Sequence, residues 1–546
     1  MKYNIKRLFV LFIAVLFIFT SACQKKKGDN EVIIPSASGG AEQPTAHPQI
    51  AAGELFLPIP ENAVRDNPYS ITTEEMRLMY SLIFESLISV DNDGRLTPSL
   101  VQSWTKSADD SSVWILSLRS GVKWHDGKDF KAEDVTYSFN TVKSYLASEG
   151  ASSYYASSIQ KIASVTAKDD YKVEVKMKSG GYSSLYSLNF PIICKSTWES
   201  EPLNGTGPYR VEENKSKSLT LGINSYWWKK LPNIKTIRFK ERLNNETALA
   251  SYDAGQLNFV PTSSLSAGKY RKEGETEVLD IMTQDAELLM FNYKNTLLYN
   301  MNIRRAIAYA LSQSKLITNI YMNKARSCDV PIAPDSWLYL AKSKVIEQDL
   351  NAANEYLDNA GFLDTDGDGI RELGNGSSAK LSFKLLVNES TDNTVRKNAA
   401  ETIADQLKEC GIEIIVESEE YTLNEQNSKY IDRLKNGDFD IALTGVCIGR
   451  DCDLAEFFEQ DGDLNFGSIS DDELLTMAKD IISAEDEASM RAKAYEFQTA
   501  FVEKIPFIVL YFRLNSVVYS SELTGLSSVR EPDIMYTVDS WSFDAQ

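Results

Sequence analysis

Two periods of hydrophobicity alternate along the chain, and the switch between them is sharpest at residues 113–140. Trp114, Leu116 and Leu118 alternate with Ile115, Ser117 and Arg119, the period of a strand with one buried face. Asp126-Gly127 punctuates a turn. Glu133 and Asp134 offer acids to a helix first turn, and Val135, Phe139 and Val142 follow at helical spacing. The stretch predicts strand, turn, helix.

The same reading predicts a strand at 55–59 and a helix over 73–88, where Met76, Met79, Tyr80, Ile83 and Leu87 recur at helical spacing. Asp93-Gly94 reads as a hairpin turn. Strands follow at 173–177, 209–211, 219–223 and 234–239, with turn residues at Ser179-Gly180-Gly181 and Gly205-Thr206-Gly207-Pro208. Between 275 and 293 two strand patterns appear, EVLDIM and ELLMFNY. A helix is predicted over 302–322 from Ile303, Ala306, Ile307, Ala310, Leu311, Ile317 and Ile320, and another over 350–360, ended by Gly361. From 381 to 444 strand and helix alternate: strand 381–387, helix 392–410, strand 412–416, helix 424–435, strand 440–444. That order implies βαβ units and a partly parallel sheet. Helices at 471–483 and 486–504 precede two strands, 506–511 and 516–519.

Length changes the picture first. The chain has 546 residues, more than one hydrophobic core accommodates, so about two to four domains are expected. The formal charge is −20, which argues against nucleic acid as a partner. Lys2, Lys6 and Arg7 precede a 12-residue apolar run, residues 8–19, too short to span a bilayer and suited to a signal-peptide core. Thr20-Ser21-Ala22-Cys23 resembles a lipobox, although Thr20 stands where Leu is usual. The expectation is cleavage after Ala22 and lipidation of Cys23, which anchors the chain to the cell membrane outside the cytoplasm; an ordinary signal peptide is the alternative. Loss of three cations with the leader lowers the charge from −20 to −23. Residues 24–53, rich in Ser, Gly, Pro and Ala, read as a flexible tether.

Candidate chemistry is sparse. Cys194, Cys328, Cys410, Cys447 and Cys452 remain beside Cys23, an odd number that excludes a full disulfide framework. Cys447 and Cys452 are close enough in sequence to bridge, which spacing alone does not decide. The histidines are His47 and His125, so a zinc site or a serine triad has little to draw on, and no Gly-rich phosphate loop follows a strand. Asp364, Asp366 and Asp368 with Gly369 match the first half of a calcium loop, but position 12 is Asn375. A tight Asp/Gly turn explains the same residues. Residues 439–458, FDIALTGVCIGRDCDLAEFF, read as a strand that ends in a Gly- and Asp-rich loop, the place where open α/β sheets bind ligands.

Several ordered landmarks resemble the family 5 solute-binding proteins, the extracellular receptors of peptide, dipeptide and nickel ABC importers. They include LRSGVKWHDGKDFKAEDVTYSF (118–139), VDNDGRLTPSLVQSW (90–104), GTGPY (205–209), the NIRRAIAYALSQSKLI run (302–317) and FDIALTGV (439–446). Lys131 replaces the usual Thr of the first landmark, which removes a helix cap. The resemblance implies an α/β fold of two lobes, periplasmic-binding-protein-like (type II, cluster C). The first lobe is discontinuous and carries an extra subdomain. The expected boundaries are 1–22 leader, 23–53 lipidated cysteine and tether, 54–277 first lobe with the extra subdomain at about 78–200, 278–508 second lobe, and 509–546 return to the first.

The implied function is capture of peptides, oligopeptides or dipeptides, by a monomer that closes on them and delivers them to a membrane permease. No catalytic residue and no cofactor is expected beyond a possible structural calcium. By the resemblance, Asp451 pairs with the ligand's α-ammonium and Asp453 stands next to it. Val446 replaces the family's Trp, Leu454 its Pro, Cys447 flanks the loop, and Arg450 is a possible internal counter-ion of Asp451. Nickel–metallophore or oligosaccharide ligands stand as alternatives within the family; a secreted hydrolase or a peptide-sensing receptor stands outside it.

Overall fold

A computed structural model describes residues 53–544, apart from 64, 199–201, 343–345, 375–378, 391–393 and 421–427. The leader, Cys23, most of the tether and His47 lie outside the described residues.

Three sheets of four or more strands organise the described residues. One runs in the order Leu55–Pro60, Thr236–Arg242, Ser218–Ile223, Tyr209–Lys215. The second is antiparallel: Val101–Lys106, Val113–Leu118, Lys172–Met177, Ile162–Asp169. Its strand Val113–Leu118 buries every second residue, as the alternation predicts. The buried face packs with Val135, Phe139 and Val142 of helix Ala132–Leu146 in one core. Lys131 gives that helix no side-chain cap. Asp134 compensates: one carboxylate oxygen accepts from the Lys131 N–H at 3.0 Å and the other from the Lys195 N–H at 3.0 Å.

The turn before this helix docks onto the Gly205-Thr206-Gly207 segment. The Gly205 N–H donates to His125 Nδ1, and His125 Nε2 lies 3.2 Å from the Gly207 carbonyl. This assigns the proton to Nε2. Gly205 also passes so close to helix Glu74–Ile83 that a Cβ there would overlap the Ile83 carbonyl oxygen. Gly205→Ala is expected to destabilise the fold by about 3 kcal/mol through overpacking, read as a lowered urea midpoint. Burial disfavours the His125 imidazolium and lowers its pKa from 6.5 to about 4. Between those values the unfolded chain binds a proton that the folded chain does not. The stabilisation is therefore complete above pH 6.5 and is lost as pH falls through about 4, by up to ~3 kcal/mol. His125→Gln is expected to flatten the urea midpoint across this window.

The third sheet has seven strands. Two long antiparallel neighbours, Thr276–Phe291 and Ile508–Ser520, run its length. Near one end Phe259–Thr262 pairs with Ile508–Ser520, Phe259 opposite Tyr519. Near the other, Ile441–Cys447 pairs with Thr276–Phe291, Asp285 opposite Cys447. Strand Ser382–Glu389 then pairs in parallel with Ile441–Cys447 and Glu413–Glu420. Helices Val395–Lys408 and Lys429–Asn436 make the crossovers, which is the βαβ arrangement expected from the alternation.

The structure corrects four element boundaries. The patterns at 275–293 are one strand, and so are those at 506–519. Gln284-Asp285, which reads as a break, is a register shift between Met282 and Ala286, where Gln284 faces a cavity. The helix over 302–322 divides into Met301–Ala310 and Gln313–Asn319. Leu311 is extended, and Ser312 caps the second piece by accepting from the Lys315 N–H. The helix over 73–88 stops at Ile83, and Ile88–Val90 is a strand.

Behind the seven-stranded sheet, Glu287 is 1% exposed and forms a two-point ion pair with Arg396, both N–O distances being 2.8 Å. Gly445, opposite Glu287 in register, has no side chain in the way of the guanidinium.

Candidate functional site

A cavity of about 550 Å3 is lined mainly by helix Glu74–Ile83 and the segment after it, residues 154–161 and 185–191 beside the antiparallel sheet, and the loop that follows strand Ile441–Cys447, with Pro208, Trp227, Lys229 and Gln284 at its margins. Residues 532–538 complete the wall. Tyr80, Phe84, Tyr155, Tyr186, Trp227 and Tyr536 supply aromatic surface. This mixture of aromatic walls with a few convergent charges is what a small organic ligand requires.

The loop after Ile441–Cys447 turns sharply. Cys452 adopts φ +56°, its N–H donates to the Gly449 carbonyl, and the Leu454 N–H donates to the Cys452 carbonyl. This geometry brings Asp451 and Asp453 to the same side. Their Oδ2 atoms lie 2.6 and 2.9 Å from Lys161 Nζ. Lys161 follows the short helix Ala156–Gln160 and precedes strand Ile162–Asp169. The triad therefore ties the antiparallel sheet to the loop of the seven-stranded sheet. Burial works against the Lys161 charge, but attraction to Asp451 and Asp453 outweighs it and holds the ammonium well above its usual pKa. Two carboxylates and one ammonium leave a formal charge of −1 on this triad.

Of the residues singled out in the sequence, Asp451, Asp453, Cys447 and Arg450 line the cavity. Val446 is 7% exposed and packs into the core instead, because alternation along the strand turns it away from Cys447. Arg450 does not neutralise Asp451. Its guanidinium donates to the Glu531 carbonyl at 3.0 Å and lies 3.5 Å from Asp335, while its stem rests on Gly94. Cys447 and Cys452 are both free thiols. Cys447 is exposed on the cavity wall, and partial burial pushes its thiol up to about 12. His125 bonds not within its own turn but to Gly205 and Gly207, 80 and 82 residues further on, and does not line the cavity.

Sequence reading missed the rest of the charge pattern. Arg77 lines the cavity, pairs with Glu531 at 2.6 Å and stacks over Tyr154 at 4.8 Å. Glu85 is buried and accepts from Trp228 Nε1 at 3.0 Å and Trp227 Nε1 at 3.4 Å. Burial raises its pKa, opposed by Lys229 and by these donors. Lys229 reaches Glu85 at only 3.9 Å and lies over the rings of Trp228 and Trp227, 4.9 and 5.4 Å from their centres. Asp533, also on the wall, is raised by burial against the pull of Arg530 and Arg77. Trp227-Trp228-Lys229 was the available signal: two adjacent indoles and a cation are unusual in a solvent-facing hairpin.

Residues 95–460 match the bacterial extracellular solute-binding proteins, family 5 middle. The oligopeptide-binding protein AppA of Bacillus subtilis is 25% identical over 96% of both chains. The nickel-binding periplasmic protein of Escherichia coli is 24% identical over 71% of this chain and 74% of its own. Among solved structures, AppA of B. subtilis in complex with a nonapeptide superposes with a TM-score of 0.63 at 22% identity, covering 90% of this chain and 99% of that one. HbpA2 of Haemophilus parasuis gives 0.77 at 16% identity, covering 90% and 100%. These likenesses place the fold among two-lobed α/β binding proteins, and the match over more than half of the sequence assigns the lineage: the chain belongs to family 5 of the bacterial extracellular solute-binding proteins.

Proposed function

We propose that this protein is the substrate-binding receptor of an ABC importer, that it captures peptides in the cavity beside Asp451, and that it delivers them to a membrane permease. The observation that carries the reading is the carboxylate pair Asp451 and Asp453, which already holds an ammonium, that of Lys161, at 2.6 and 2.9 Å. A peptide's α-ammonium is the same chemical group. The remaining −1 charge recruits it, and a partly desolvated carboxylate makes a strong, short charge-assisted bond with it. Aromatic walls accept side chains without demanding a particular one. Lys229, which lines the cavity and whose one ion pair among the described residues is the long 3.9 Å contact to Glu85, is the natural partner for an acidic group elsewhere on the ligand.

The proposed domain scheme has its two crossings in the long strands. Support comes from the register shift between Met282 and Ala286, opposite Leu514 and Phe512, a few residues later than the boundaries 277/278 and 508/509. Closure would bend the sheet there, and ligand would favour the closed state by binding it more tightly. Cys23 would anchor the chain to the membrane surface as a monomer. Among the described residues no helix is long and apolar enough to cross a membrane.

A chelated metal is the second reading, favoured by the likeness to the nickel-binding periplasmic protein of E. coli. Among the described residues no histidine lines the cavity, so a metal would arrive with its own chelator, whose carboxylates would face Arg77 and Lys229. Calorimetry with three ligand pools separates these readings: free peptides, N-acetylated peptides of the same sequences, and nickel–histidine chelates. Binding of free peptides over acetylated ones supports the proposal, and equal binding of the two overturns the role of Asp451. Binding of chelates alone moves the assignment to the second reading.

A further inference from the structure

The loop at 364–371 lies apart from the cavity and plays no part in the function proposed above. It joins two short strands, Phe362–Leu363 and Glu372–Leu373, which pair antiparallel with Leu363 opposite Glu372. The hairpin brings together four carboxylates, those of Asp364, Asp366, Asp368 and Glu372, with one oxygen of each within 4.8 Å of the others. Four like charges at that separation repel strongly. Among the described residues the only ion pair to these four acids is that of Lys380 with Asp368.

Glu372 supplies the decisive observation. It is 2% exposed. Its Oε2 accepts from the Thr365 N–H at 3.0 Å and the Thr365 hydroxyl at 2.8 Å. Its Oε1 is buried and has no hydrogen-bond partner among the described residues. A buried carboxylate oxygen in a side chain grouped with three other carboxylates, with no donor to it among the described residues, is strongly unfavourable unless a cation completes the site.

We propose that Asp364, Asp366, Asp368 and Glu372 bind one calcium ion. Their spacing places carboxylates at loop positions 1, 3, 5 and 9, with the Ile370 carbonyl at 7 and Gly369 at 6, in φ +87°. This is the order of ligands in a calcium-binding loop. Amide donors hold the acids in place: Gly367 and Gly369 to Asp364, Asp368 to Asp366, and Ile370 to Asp368. Glu372 takes over the charge that position 12 supplies in other such loops. All donors are hard oxygens, and the ring is loose enough for the six to eight ligands of calcium, whereas magnesium demands a tighter octahedron.

The ion would stiffen a junction. Arg371 leaves the loop and donates to the carbonyls of Cys410 at 3.0 Å and Phe362 at 2.6 Å, to Asp358 at 2.6 Å and to Asn354 at 3.0 Å. Its own carbonyl accepts from the Leu381 N–H at 2.7 Å. Helices Leu350–Asn359 and Val395–Lys408 and the strand Ser382–Glu389 all meet there.

The test uses the full chain, stripped with EGTA and titrated with calcium chloride over a magnesium background. One calcium is expected to bind per chain and to raise the thermal midpoint. Asp366→Asn and Glu372→Gln are each expected to weaken binding at least about ten-fold and to remove the calcium-dependent shift. Asp366 is exposed, so its variant decides the matter even where Glu372→Gln folds poorly. The proposal is overturned by the absence of heat and of a shift up to about 5 mM calcium, by variants that respond as wild type does, or by an equal response to magnesium.

Discussion

The double variant Asp451→Asn, Asp453→Asn is expected to bind peptides with a free N-terminus about 100-fold more weakly, equivalent to ~2.7 kcal/mol. Neutral amides cannot offset the cost of moving an ammonium out of water. Acetylating the peptide should weaken its binding to the wild-type protein to a similar degree, and the double variant should no longer distinguish the two forms. Lys161→Met should act in the opposite direction. It releases both carboxylates from the internal ammonium that sits 2.6 and 2.9 Å away, and affinity for the free peptide should rise about ten-fold, or ~1.4 kcal/mol. Calorimetry on the four combinations of protein and peptide measures the coupling directly. A double variant that still prefers free over acetylated peptide places the ammonium site elsewhere in the cavity.

Glu287→Ala is expected to cost about 3–5 kcal/mol of stability, the largest effect of any single substitution considered. The loss arises from what remains. The Arg396 guanidinium, held by Glu287 in a two-point pair, would face a buried strand without its counter-charge, keeping among the described residues its bond to Asn388. A double variant, Glu287→Leu with Arg396→Met, removes both charges and should recover most of the loss, because desolvation of the pair is then no longer required. Urea unfolding of the three proteins checks this. A single variant as stable as the double variant would show that water reaches Arg396 and that the pair is not isolated from solvent. The lesion lies on the strand that pairs with Ile441–Cys447, so it should also loosen the loop that carries Asp451.

Elements whose signal is local were legible before the structure. Val113–Leu118 follows its alternation residue by residue. Thr73, Asp471 and Asp486 cap the helices that their position announces. The βαβ order from 382 to 447 follows from the change in period alone. Two of the misreadings share one cause, a polar residue inside an apolar segment. Gln284 and Asp285 look like a turn, and Ser312 lies within an unbroken helical pattern. In the fold, Gln284 faces the cavity and Ser312 caps a second helix. What such a residue faces depends on segments far away in the chain.

The cavity followed the same rule. Asp451 was found because its loop resembles that of a known family, and the position of the loop at a strand end gave a physical reason to look there. Its partner was not found. Arg450, the neighbour in sequence, turns to Asp335 and the Glu531 carbonyl, and Lys161, 290 residues earlier, takes its place. By itself the sequence determined the family, the alternating architecture and the loop that carries the carboxylates, since all three are written in short-range periodicity and in ordered motifs. The tertiary structure decided which charges meet. Ion pairs act over a few ångströms of space, and strand pairing between distant segments sets those distances without leaving a mark in either segment alone.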